Sequence, residues 1–147
     1  MEADRGRLCR EIVEGSADGV IVGDREGRIV FWNRGAEEIF GHAASEVTGT
    51  SMDCIIPEKL RARHWEGYRK TMETGVTRYG KELLAVPAVR KDGGRISIEF
   101  TIVMLRDGAG RPDGVAAIVR DVTARFQRDR ELRERLAQLE KQLSGGG

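Results

Sequence analysis

The sequence is poor in the residues on which metal and redox chemistry depends: 147 residues hold two cysteines, Cys9 and Cys54, and two histidines, His42 and His64. The cysteines form no CxxC pair, so neither a disulfide framework nor a zinc cluster is written here, and a reducing, cytoplasmic compartment is expected. Charge of one sign is lacking too. With 25 Lys and Arg against 24 Asp and Glu, no bulk field draws the chain to nucleic acid or to an anionic membrane, and neither partner is expected. The longest apolar runs are a handful of residues, far short of the ~20 needed to span a bilayer. The first residues, MEADRGRLCREIVEG, alternate charge with apolar positions and build no signal-peptide core. Catalytic signatures are also missing: no Ser-His-Asp set, paired-His motif or phosphate-cradling loop can be assembled. Gly108-Ala109-Gly110 stands between two strand-like stretches rather than before a helix, and no enzymatic activity is expected.

What is present suffices for one core, with 39% hydrophobic and 33% charged residues. Residues 4–14 set Leu8 and Ile12 four apart among Arg, Glu and Asp, the pattern of a short amphipathic helix, so residues 1–15 read as a helical cap. Residues 19–24 and 28–33 are β-branched and aromatic runs around Arg25-Glu26-Gly27, which predicts a β-hairpin. Residues 35–50 are small and polar with spaced apolar positions and read as short helices and turns. Pro57 opens a longer helix over residues 58–74, with Leu60, His64, Tyr68 and Met72 at i+4 steps and Gly75 at its end. Strand-like stretches follow at 82–90, 95–105 and 114–122, joined by Gly/Asp turns that make an antiparallel meander. The predicted fold class is α+β: a five-stranded antiparallel sheet over residues 16–123 with helices on one face. An amphipathic exit helix over 124–143 and a flexible tail at 144–147 follow. A pocket is expected between sheet and long helix.

These residues resemble the PAS sensor domains over roughly residues 8–123. The likeness is carried by Asp24-Arg-Glu-Gly-Arg-Ile-Val-Phe-Trp-Asn33, then Ala36, Phe40, Gly41, His42, Glu46, Val47 and Gly49, then Arg90-Lys-Asp-Gly93 and the exit Val119-Arg-Asp-Val-Thr123. Asn33, Gly41, Gly49 and Gly93 read as scaffold residues that close strands and turns. The resemblance implies a PAS fold and a sensing role. Cys54, in Met52-Asp-Cys-Ile-Ile56, lacks the context of the reactive cysteine of flavin-binding PAS domains, so flavin adduct chemistry is not expected.

Arg61-Ala-Arg-His-Trp-Glu-Gly-Tyr68 is similar to the long-helix segment of haem-based oxygen-sensing kinases, in which a His directly after an Arg ligates iron. The likeness implies haem b with His64 as the iron ligand. Tyr68 lies one position later than the Tyr of those sensors, and Ile98, Phe100, Ile102 and Met104 would wall the opposite side. In the same register Leu84 replaces their distal Arg, which removes a charge-assisted donor to bound oxygen and favours a diatomic gas that needs less hydrogen-bond help. His42 follows a turn and is expected to be structural or solvent-facing. Trp32 and Trp65 fit either a pocket wall or the core. The alternative is a domain with no cofactor that dimerises and relays signals.

Leu132, Leu136, Leu139 and Leu143 recur at 4, 3, 4 spacing along the exit helix, a seam for a homodimer. Arg125, Arg128, Arg130, Arg133 and Arg135 are interleaved with Asp129, Glu131 and Glu134, a solvated ion-paired face rather than a DNA-reading one. An output domain or a partner signalling protein would receive the signal.

Overall fold

The computed structural model describes residues 4–77 and 84–145, without the side chain of Leu84. Helix α1 (Arg5–Gly15) is capped by Asp4, whose carboxylate accepts from the Gly6 amide at 3.0 Å. Strands β1 (Gly19–Asp24) and β2 (Ile29–Trp32) form the predicted hairpin. Helices α2 (Arg34–Phe40) and α3 (Ala44–Val47) and a 3-10 turn (Met52–Ile55) lead into α4 (Glu58–Thr74). Strands β3 (Leu84–Val89), β4 (Arg95–Arg106) and β5 (Pro112–Asp121) make the meander, and α5 (Thr123–Gly145) leaves the domain.

The five strands form one antiparallel sheet in the order β2-β1-β5-β4-β3. The first and last strands pair along six positions, from Gly19 opposite Val119 to Asp24 opposite Gly114, which joins hairpin and meander into a single sheet. Strand side chains alternate between faces. The inward face carries Ile21, Ile29, Trp32, Ile96, Ile98 and Val119, and it buries them against Ala36, Ile39 and Phe40 of α2, Val47 of α3 and Met52. Phe40, Ile21 and Ile29 are completely enclosed, each contributing roughly 1.5–3 kcal/mol by removal from water.

Asn33 joins these layers. At 2% exposure it is the buried polar residue of the core among the described residues. Its Oδ1 accepts from the Val20 amide at 2.8 Å and caps α2 through the Ala36 amide at 2.9 Å. Its Nδ2 donates to the carbonyls of Val13 at 2.7 Å and Asp18 at 3.0 Å. One amide thus ties α1, β1 and α2 together with its full hydrogen-bonding capacity used.

Three expectations are refined. The predicted strand 82–90 is seen from Leu84 onward, residues 82 and 83 lying outside the described residues. The exit helix runs through Ser144 to Gly145, past the start of the expected tail, since no proline removes a helical N–H there. His42 is not solvent-facing: its side chain is 15% exposed and lies edge-on to Trp32 at 6.3 Å. The cause is the Trp32 indole N–H, which donates to the His42 carbonyl at 3.1 Å and draws the loop onto β2.

Candidate functional site

Helix α4 carries the predicted stripe, and the structure shows how it is held. Gly75 ends it in the left-handed region at φ +70, and its carbonyl accepts from Arg106 of β4 at 2.9 Å. Further back, the Tyr68 hydroxyl donates to the carbonyl of Asp24 at the end of β1. The Trp65 ring packs against Gly27, where an added Cβ would stand 2.0 Å from the ring, and its N–H donates to Asp53 at 2.7 Å. Helix α4 therefore rests on the β1–β2 turn and the 3-10 turn. That turn keeps its shape because the Asp24 carboxylate accepts from the amides of Glu26 and Arg28, and Gly27 supplies φ +82.

His64 sits one turn before Tyr68, half-buried, with its ring 4.7 Å from Trp65 and 5.9 Å from Tyr68. Its Nδ1 is buried and has no hydrogen-bond partner among the described residues. Burial pushes the imidazole pKa below its ordinary value, against a weaker upward pull from Asp53, so the ring is neutral at pH 7. Burial pushes the Tyr68 phenol well up, helped by Asp24 and Glu26, so it remains a hydrogen-bond donor. Burial also raises the Cys54 thiol, which keeps it protonated and unreactive as a nucleophile.

Ile98, Phe100, Ile102 and Met104 do share the inward row of β4. Ile98 is buried and Phe100 packs against the core, whereas Ile102 and Met104 are half-buried beyond it. Leu84 pairs with Phe100 in the backbone register, its side chain lying outside the described residues. The stripe Leu60, His64, Tyr68 and Met72 is half-buried throughout, and no residue of α4 is fully enclosed. His64 and the Phe100, Ile102 and Met104 end of the β4 row are thus each only half-buried. Tyr68 and Met72 also line an open groove of about 520 Å³ with Trp65, Arg25 and Pro112, and neither His64 nor the β4 row borders it. Of the two tryptophans, Trp32 belongs to the core and Trp65 to the helix clamp.

Sequence reasoning missed Asp53 as the acceptor for Trp65, and Arg25, which donates to the Pro112 carbonyl at 2.8 Å and bridges the two turns. The signal for the clamp was present in Gly27, whose missing side chain makes room for an aromatic ring.

The model of the PAS fold family matches residues 13–127. The chain belongs to the PAS family. It is 39% identical over 87% of its length to an uncharacterized protein of Azorhizobium caulinodans, of which it covers 17%. It is 27% identical over 79% of its length to the oxygen sensor protein DosP of Escherichia coli, covering 14% of that protein. The sensor protein FixL of Bradyrhizobium diazoefficiens is 29% identical over 88% of this chain, with 25% of FixL covered. The chain therefore spans a quarter or less of these relatives' lengths. Among solved structures, the PAS domain of a Colwellia psychrerythraea protein superposes with a TM-score of 0.72 at 21% identity, covering 82% of this chain and 99% of that one. That likeness confirms the PAS fold. A PAS domain is a sensory module, and no helix among the described residues is long and apolar enough to cross a membrane.

Proposed function

We propose that this PAS domain is the cytoplasmic sensing module of a signalling protein, that it holds haem b in the layer between α4 and the sheet, and that it responds to a neutral diatomic gas. The observation that carries this reading is His64: a neutral, half-buried imidazole on α4 whose buried Nδ1 has no partner, a state shared by the buried Nε2 of His42, which lies off α4 against Trp32. An unsatisfied buried polar group costs about 1–3 kcal/mol, and a site built around a metal ligand accounts for its retention. The similarity to an oxygen sensor protein supports the same chemistry. Haem would supply an iron centre able to bind a gas. His64 would hold it, the half-buried Phe100, Ile102 and Met104 would exclude water and charged metabolites, and Tyr68 would fix α4 to the β1–β2 turn. Leu84 brings no donor for a polar bound gas, so carbon monoxide or nitric oxide suits the pocket better than oxygen.

A second reading, a cofactor-free module for dimerisation and signal relay, is favoured by α5. Leu132, Leu136, Leu139 and Leu143 are between 50% and 83% exposed on a helix with no buried residue. In both readings that seam pairs two copies and passes the signal to an output domain or a partner protein.

Haem reconstitution of wild type, His64→Ala and His42→Ala tests the first reading. Loss of the Soret band in the His64 variant alone is expected. Equal uptake by all three proteins rejects His64 as ligand, and no uptake by wild type favours the relay module.

A further inference from the structure

The open groove beside α4 lies apart from His64 and the β4 row, and the haem reading leaves it unused. Its floor is apolar because the polar atoms there are already engaged. The Trp65 N–H donates to Asp53, the Tyr68 hydroxyl donates to the Asp24 carbonyl, and the Pro112 carbonyl accepts from Arg25. Together with Met72, these residues have ring carbon and a thioether left to offer a ligand.

Charges of both signs stand around that floor. Trp65, Tyr68, Arg69, Met72 and Glu73 fall at i, i+3, i+4, i+7 and i+8, one face of α4, so the apolar and charged groups share it. Arg69, Glu73 and Glu26 are exposed and have no ion pair among the described residues. Arg69 and Glu73 stand one turn apart with the base before the acid, the weaker order for a helical pair. Arg25 and Arg111 share the Asp107 carboxylate, at 4.0 and 3.3 Å. Three arginines against Glu26, Glu73 and Asp107 leave the surroundings without net charge, so the occupant they suit has none either, yet has two charges to place. We propose that the groove binds a free α-amino acid with an apolar side chain. Its carboxylate meets Arg69, its ammonium meets Glu73, and its side chain lies on Trp65 and Met72.

Size decides between a small molecule and a protein partner. The groove holds about 520 Å³, within the ~300–1,000 Å³ range of small-molecule sites. A stable protein contact covers about 800 Å² per partner, far more than a floor of four side chains presents. A chain terminus would bring one charge and leave Arg69 or Glu73 unanswered, and a phosphate would set its negative charge against Glu26 and Glu73. An occupant also bears on the helix clamp, because Trp65 and Tyr68, which hold α4 to the 3-10 turn and to the end of β1, form part of the floor. The groove is thus placed to take a second input to the helix that carries His64.

The test titrates the full chain, without added haem, with L-leucine. Calorimetry reads affinity, and tryptophan emission reports the groove, since Trp65 lines it while Trp32 lies in the core. Saturable binding with a dissociation constant of about 0.1–1 mM is expected for so small a ligand in an open groove. N-acetyl-L-leucine lacks the ammonium and L-leucinamide lacks the carboxylate, and each should bind about tenfold more weakly. Arg69→Gln and Glu73→Gln change exposed side chains and should each weaken L-leucine about fivefold, with circular dichroism unchanged. Absence of saturation by about 10 mM overturns the proposal. Equal affinity for N-acetyl-L-leucine also overturns it, assigning the groove to the C-terminus of a partner chain. L-leucine affinity unchanged in both variants places the ligand elsewhere and rejects the groove. No arm depends on haem, so haem uptake and leucine binding succeed or fail separately.

Discussion

Replacing Asn33 by Ala removes four hydrogen bonds at once, those to the amides of Val20 and Ala36 and to the carbonyls of Val13 and Asp18, at 2.7 to 3.0 Å. A single net hydrogen bond contributes about 1 kcal/mol, and each buried partner left unpaired adds its own desolvation cost. Loss of a helix cap is within that range at about 1 kcal/mol. Water entering the vacated space re-satisfies some of these groups, so the expected loss is about 3–4 kcal/mol, a large share of the ~5–15 kcal/mol typical of a domain. In a chain of this size that is a fall in Tm of roughly 10 °C. Urea unfolding followed by circular dichroism measures it. Asn33→Asp sharpens the test, because the introduced carboxylate keeps both amide donors but sets an oxygen against the Val13 and Asp18 carbonyls. That conflict favours the protonated acid in the folded state, so the variant should gain stability as pH is lowered and lose it as pH rises. An Asn33→Ala protein within about 1 kcal/mol of wild type would refute the reasoning.

Gly27→Ala sets a Cβ 2.0 Å from the Trp65 ring at φ +82. The left-handed backbone alone costs roughly 1–2 kcal/mol, so a larger destabilisation with a shifted tryptophan emission is expected, falling back to the backbone cost in a Trp65→Ala background; an equal penalty in both backgrounds would dissociate Trp65 from the turn. Arg120 holds the Asp18 carboxyl below its ordinary range by hydrogen bonding. A depressed carboxylate stabilises above its unfolded pKa of about 3.9 and loses that contribution as pH falls through the folded value. Arg120→Gln should thus be less stable than wild type near pH 7, most clearly at low salt, with the gap closing as pH falls below 4; a gap independent of pH would remove this pair from the acid response.

The hairpin and meander were legible because their turns are local: Asp24 and Gly27 carry the geometry of their turn in their own chemistry. The pairing of β1 with β5 is not local, since nothing near Gly19 announces Val119. The long helix shows the limit most clearly. Residues at strict i+4 steps drift about 40° per step around a helix of 3.6 residues per turn, so Leu60 and Met72 cannot face the same surface. Trp65, three residues before Tyr68 and seven before Met72, shares the face that settles on the β1–β2 turn. His64 stays beside it, half-buried, with its ring 4.7 Å from that of Trp65. The β4 row was readable from its alternation, whereas the partnerless Nδ1 of His64 is a product of tertiary packing.

Strand β4 connects the candidate site to the exit helix because its side chains alternate. Ile98, Phe100, Ile102 and Met104 lie on the inward face of the sheet, and Ser97 and Glu99, between and beside them, hold the base of α5. The Val122 amide donates to the Ser97 carbonyl at 2.9 Å, the Ser97 amide to the Thr123 hydroxyl at 3.0 Å, and Arg125 pairs with Glu99. A strand has one backbone, so a shift that relieves crowding on its inner row moves the anchors on its outer row by the same amount. Helix α5 has 23 residues and is about 34 Å long at 1.5 Å per residue, so a tilt of about 5° at its base displaces its far end by about 3 Å. In the proposed dimer, a displacement of that size would exceed what knob-into-hole packing along a leucine seam absorbs without changing partners. The half-buried Ile102 and Met104 and the exposed leucines at Leu136 and Leu139 are therefore joined through one strand, so that in the proposed sensor an occupant beside the first would be felt at the second.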